Sequence, residues 1–108
     1  MASHASHPVA DGEQPRAMGR EVAESLARTL RAVADPTRLQ LLSVIRRSPA
    51  GESTVSDLAD QLGFTQPTIS HHLRIMVDDG LLVRDQRGRH AYFSVVPERT
   101  ADIDDLLR

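Results

Sequence analysis

Ile69, Leu73 and Met76 recur at helical spacing and turn to the core, which leaves Gln66, Thr68, His71 and Arg74, with Ser70 and His72 at the margin, as the outward set of that helix. Gln pairs with adenine in bidentate fashion, Arg with guanine or phosphate, and Thr or Ser with a base or the backbone. Such a face therefore carries the donors and acceptors that read base edges in a major groove. An ordinary solvated helix face looks similar, so what surrounds the helix decides between the two readings.

A second group, Arg87, Arg89 and His90 around Gly88, makes a basic finger suited to phosphate or minor-groove contact. Acid collects elsewhere: Glu98, Asp102, Asp104 and Asp105 lie near the end of the chain beside Arg99 and Arg108. A net charge of -2 thus argues against a uniformly basic nucleic-acid binder and leaves a locally basic one open.

The histidines divide in two. His71 and His72 are adjacent, and neighbours on a helix point about 100° apart, so they do not converge on one ion as an i, i+4 pair would. A contact or packing role is expected; an imidazole on phosphate would strengthen binding as the pH falls through about 6.5. His4 and His7 stand in an irregular N-terminal stretch. With Met1 removed, the amine, two backbone nitrogens and His4 can wrap a square-planar Cu(II) or Ni(II), and His7 can add a ligand. Two incidental histidines in an arm would look the same.

The chain has no cysteine, which excludes disulfides, thiolate metal sites, cysteine nucleophiles and thiol redox sensing. It also lacks a Gly-rich phosphate loop or a nucleophile, base and orienter at meaningful spacing, so an enzyme is not expected.

The elements that must position these residues follow from periodicity and caps. Residues 1–19 read as a flexible arm and 20–108 as one domain. Val22, Leu26, Leu30 and Val33 predict a first helix of about 14 residues from Arg20. Asp35-Pro36 then caps and starts a second, whose apolar face of Leu39, Leu41, Leu42, Val44 and Ile45 runs to Arg47. Ser48 to Gly51 is a turn, Thr54-Val55 an extended rung, and Ser56 the cap of a short helix through Leu58, Ala59 and Leu62.

Gly63 ends that helix, Phe64 anchors the turn, and Thr65 caps the polar-faced helix from Gln66 to Asp78, which gives a helix-turn-helix. After Gly80, Leu81–Arg84 and Ala91–Val95 predict a hairpin with Asp85 to His90 at its tip. Pro97 ends the second strand, and Ile103, Leu106 and Leu107 mark a final helix too short to stand without packing. The fold class is mainly α with a small β-hairpin. No apolar run approaches the roughly 20 residues of a membrane span, and the N-terminal stretch lacks the apolar centre of a signal peptide, so a cytoplasmic protein without membrane contact is expected.

Three segments, Ala34-Asp35-Pro36-Thr37-Arg38-Leu39, Thr68-Ile69-Ser70-His71-His72-Leu73, and Gly80-Leu81-Leu82 leading to Arg87-Gly88-Arg89 and Tyr92, resemble the ArsR/SmtB family of winged helix-turn-helix repressors. The likeness runs from Leu30 to Val96. It implies a homodimer built on the first helix (Val22, Leu26, Leu30) and the last (Ile103, Leu106, Leu107), although those residues would also serve as intrachain core. It further implies an inverted-repeat operator on double-stranded DNA, released when a metal ion or other signal binds.

This chain departs from the family's sensing sites. Members that sense soft metals place cysteines where it has Thr54 and Ser56, and hydroxyls are poor ligands for such metals. Members with a site on the last helix use Asp-x-His where it reads Pro97-Glu98-Arg99, and the second half of that site would fall beyond Arg108. Regulation is then expected through Ni(II) or Cu(II) on the arm, or through a partner protein at Asp102, Asp104 and Asp105. The competing reading is a winged-helix protein-interaction module without DNA binding. Charge reversal at Arg74, Arg87 and Arg89 separates the two, since it should abolish salt-sensitive DNA binding and leave an apolar interface alone.

Overall fold

The computed structural model describes residues 16–108, so His4 and His7 lie outside the described residues. Helix α1 spans Arg20–Val33 and α2 Pro36–Arg47. The Asp35 carboxylate accepts from the Arg38 backbone N–H at 3.0 Å, and Pro36 occupies a first-turn position where no N–H is needed. Leu41, Leu42 and Ile45 are fully buried on one face of α2. Leu39, expected on that face, stands about 200° round from Leu41 and is exposed, and Val44 is half-buried.

A tight turn at Pro49–Gly51 holds Ala50 at φ 58° and Gly51 at φ 67°, and the left-handed Ala50 costs about 1 kcal/mol. Strand β1 is Glu52–Ser53, not Thr54-Val55. It pairs antiparallel with β3, His90–Val95, matching Glu52 to Ser94 and Ser53 to Phe93. That pairing leaves Thr54 to cap α3, Val55–Leu62, by accepting from Asp57 N–H at 3.2 Å; Ser56, the expected cap, is exposed in the first turn.

Gly63 closes α3 at φ 75°, a left-handed C-cap that glycine adopts without a Cβ penalty. Thr65 then caps α4, Gln66–Asp78, accepting from Thr68 N–H at 3.3 Å. Ile69, Leu73 and Met76 of α4 are fully buried, meeting Leu58, Leu81 and the α2 face in one core. Strand β2, Leu82–Arg87, completes a three-stranded sheet of order β1-β3-β2. The architecture is thus mainly helical with a small antiparallel sheet, a winged helix-turn-helix.

Helix α5, Thr100–Leu106, has seven residues and is held by tertiary contacts, as its length requires. Ile103 is fully buried in the core, contributing about 2 kcal/mol, and is therefore not a surface contact as the sequence suggested. Val22 (60% exposed), Leu30 (46%) and Leu106 (51%) do stand at the surface, with Leu26 and Leu107 half-buried. Arg46 of α2 grips Asp104 through two hydrogen bonds, Nε to Oδ1 at 2.8 Å and Nη2 to Oδ2 at 2.9 Å. These bonds hold the Asp104 carboxyl below its ordinary range and raise the Arg46 guanidinium above its own. Arg99 donates to Ser25 Oγ at 2.5 Å and pairs with Asp102 at 3.6 Å, while Arg108 pairs with Asp105 at 2.6 Å. The three acids expected to form part of a partner-protein surface are each paired with an arginine.

Candidate nucleic-acid interface

The wing is longer and tighter than its sequence suggested. Pairing of β2 with β3 continues to Arg87 opposite His90, so the turn is Gly88-Arg89 alone and not the six residues Asp85 to His90. Gly88 at φ 61° supplies the left-handed first position that a two-residue hairpin needs. Side chains alternate along β2, and Leu82, buried against the core, places Arg84 and Gln86 on its own face. Val83, Asp85 and Arg87 take the other.

That alternation separates the wing's arginines. On the outer face Arg87 bonds Glu52 of β1, pairs with Asp85 at 3.2 Å and lies over the Tyr92 ring at 3.8 Å from its centroid. Its charge is compensated and its plane is held. On the inner face Arg84 donates only to the neutral Gln86 Oε1 at 2.6 Å, and Gln86 Nε2 in turn donates to the Gly88 carbonyl at 3.0 Å.

Across from Arg84 stands α4. Its exposed face presents Gln66, Thr68, His71 and Arg74, with Ser70 and His72 half-buried behind them. A cleft of about 270 Å³ separates helix from wing, floored by Val55, Val77 and Phe93 and lined by Ser70, Arg74 and Arg84. A second of about 280 Å³ continues past Gln66, Gln86, Arg89 and His90. Among the described residues Arg74, Arg84 and Arg89 take part in no ion pair. Three uncompensated guanidiniums therefore border one groove.

Local bonds fix several of these side chains. Gln66 Nε2 donates to Ser56 Oγ at 3.3 Å, and the Thr65 hydroxyl donates to Thr68 Oγ1 at 2.9 Å. The two histidine rings meet edge to face, centroids 5.6 Å apart at 65°. His71 points outward, whereas His72 Nδ1 accepts from Arg38 Nε of α2 at 3.3 Å. Among the described residues no three of His, Asp or Glu come together to hold a metal ion.

The structure thus brings Gln66, Ser70, Arg74 and Arg89 to the groove, leaves Thr68 and His71 exposed on α4 outside its lining, holds His72 against Arg38 of α2, and turns Arg87 to the outer face. Sequence reasoning missed Arg84 and Gln86. The signal was present, since both follow the buried Leu82 at even spacing. Arg38 was missed because its partner is 34 positions away.

Residues 35–83 match the model of the family described as bacterial regulatory protein, arsR family. The chain is 35% identical to the HTH-type transcriptional regulator NmtR of Mycobacterium tuberculosis, over 92% of this chain and 81% of that protein. It is 40% identical to the "Probable mercury resistance operon repressor" of Streptomyces lividans, over 79% of this chain and 66% of that protein. Among solved structures, the homodimeric winged helix-turn-helix DNA-binding domain of Mb0332 from Mycobacterium bovis superposes with a TM-score of 0.66. It is 25% identical, covering 87% of this chain and 83% of that one.

Proposed function

The chain belongs to the ArsR/SmtB family of DNA-binding transcriptional regulators, and we propose that it is a repressor that grips an inverted-repeat operator as a homodimer. The observation that carries this reading is the groove between α4 and the wing, bordered by the uncompensated Arg74, Arg84 and Arg89. A phosphate strand lying there would meet those three cations, while Gln66, Thr68 and His71 face the base edges. The repressor assignment draws on the name of the Streptomyces relative.

The homodimer reading rests on the stripe Val22, Leu26 and Leu30, which recurs every four residues on the surface of α1, with Leu106 of α5 and Leu107 just after it as the second contributor. The homodimeric Mb0332 domain supports it by likeness. For the signal we propose a metal ion, Ni(II) or Cu(II), taken by His4 and His7; nitrogen ligands suit both ions in square-planar geometry. The partner-protein alternative loses support from the pairing of Asp102, Asp104 and Asp105 with arginines. A cytoplasmic location goes with this reading, and no helix among the described residues is long and apolar enough to cross a membrane.

The test is an anisotropy titration of the chain against the DNA upstream of its own gene, at two salt concentrations, with and without Ni(II). Tight, salt-sensitive binding that weakens with Ni(II) is the expected result. Binding indifferent to Ni(II) and Cu(II) would remove the metal and keep the repressor. Absence of specific binding to any genomic fragment would favour the protein-interaction module.

A further inference from the structure

Three helices meet at one half-buried side chain. Arg38 sits in the first turn of α2, where its backbone N–H is already held by Asp35. Its guanidinium reaches two other helices: Nη1 donates to the carbonyl of Ala32 in the last turn of α1 at 3.2 Å, and Nε donates to His72 Nδ1 on α4 at 3.3 Å. Each end of this bridge has a physical reason. The last carbonyls of a helix lack partners within it, and a cation there also meets the negative end of the helix dipole. An imidazole nitrogen with its lone pair toward the guanidinium can accept that bond.

We infer that Arg38 is a positioning residue that sets the angle of α4 against α1, with His72 as its hold on α4. The inference rests on the homodimer and operator reading above. If α1 carries the dimer contact and α4 enters the groove, the Arg38 bridge lies between the two-fold axis and the DNA-reading face. Any play between α1 and α4 then appears twice in the separation of the two α4 helices, whereas one base pair of spacer moves the half-sites about 3.4 Å apart. A fixed bridge makes the dimer selective for spacer length. It need add nothing to the affinity of either half.

The test uses the full chain and an inverted repeat selected by the wild type from a random duplex pool. Affinity is measured on that duplex and on versions with one base pair added to or removed from the spacer. His72→Leu removes the acceptor and leaves Arg38 on Ala32; His72→Asn keeps an acceptor near the position of Nδ1. The wild type should prefer the selected spacer by about tenfold or more, and His72→Leu should reduce that preference to about threefold or less, the scale of one lost hydrogen bond. His72→Asn should restore it.

Thermal melts of each variant accompany the titrations. Equal weakening of His72→Leu on all three spacers, or unchanged preference, would overturn the inference, and so would His72→Asn behaving as His72→Leu, which would place the role in ring packing or DNA contact. If the wild type selects no inverted repeat, the operator reading fails first and visibly, and this inference fails with it.

Discussion

Arg84 and Arg87 are three residues apart on one strand and belong to different systems. Arg87 faces Glu52, Asp85 and Tyr92 and joins β1 to the hairpin; Arg84 faces α4 with only an amide for company. The difference comes from the two-residue period of a strand, which sends odd and even positions to opposite faces. A count of arginines in the wing would treat them as equal. Their neighbours show that one stabilises the scaffold and the other is available to a ligand of opposite charge. The same division runs through the whole chain, with Arg46 committed to Asp104 and Arg74 uncommitted at the groove.

Substitution can break this comparison. The largest effect is expected from Arg84→Glu, which puts a carboxylate where a phosphate should pass. Operator affinity should fall by about a hundredfold, with a shallower salt dependence and an unchanged melting temperature. A loss of less than about threefold in anisotropy titrations would show that the inner face is not at the DNA. Arg87→Ala should do the reverse. Because Arg87 is about half exposed, its loss should cost about 1 kcal/mol or less, seen as a melting temperature lowered by up to about 6 °C. Operator affinity should change by less than about threefold at a temperature where the variant is folded; a larger drop would return Arg87 to the DNA-contact set.

The smallest effect sharpens the committed side. Asp104 has its carboxyl lowered by the Arg46 hydrogen bonds, so its stabilisation is complete above the unfolded value of about 3.9 and is lost as the pH falls through the lower folded value. Melts of wild type and Asp104→Asn should therefore differ by a constant amount from pH 7 to about 5 and converge below about 4. A gap that persists at acid pH would mean that the asparagine disturbs packing and that the ion pair is not its cause.

Where a signal was local, sequence and structure agree. Asp35-Pro36, Gly63 and Thr65 act through bonds within a few residues, and the helices they bound begin and end where those residues demand. Where two local answers were equally good, a distant contact chose. Thr54 and Ser56 can both cap a helix; the pairing of Glu52 and Ser53 with β3 ends the extended segment at Ser53 and hands the cap to Thr54. Leu39 is apolar and at plausible helical spacing, but only the direction of the core shows that its face is outside. The site divides in the same way. The exposed side of α4 was legible from Ile69, Leu73 and Met76, the wing's inner face was legible in principle from Leu82, and the Arg38 bridge had no local trace at all.

The pairing of β1 with β3 also has a consequence in time. Glu52 and Ser94 lie about forty positions apart, and contacts of such long range are closed late because the loop entropy must be overcome first. Helices α1 to α4, built from near neighbours and preceding the wing, can assemble before that closure; the wing cannot be locked by Glu52 and Arg87 until β3 has been synthesised and has found β1. A chain still leaving the ribosome would then hold a formed α4 beside an unfinished wing, with the groove between them incomplete. Weakening the Glu52 to Arg87 link should accordingly speed unfolding far more than it slows folding.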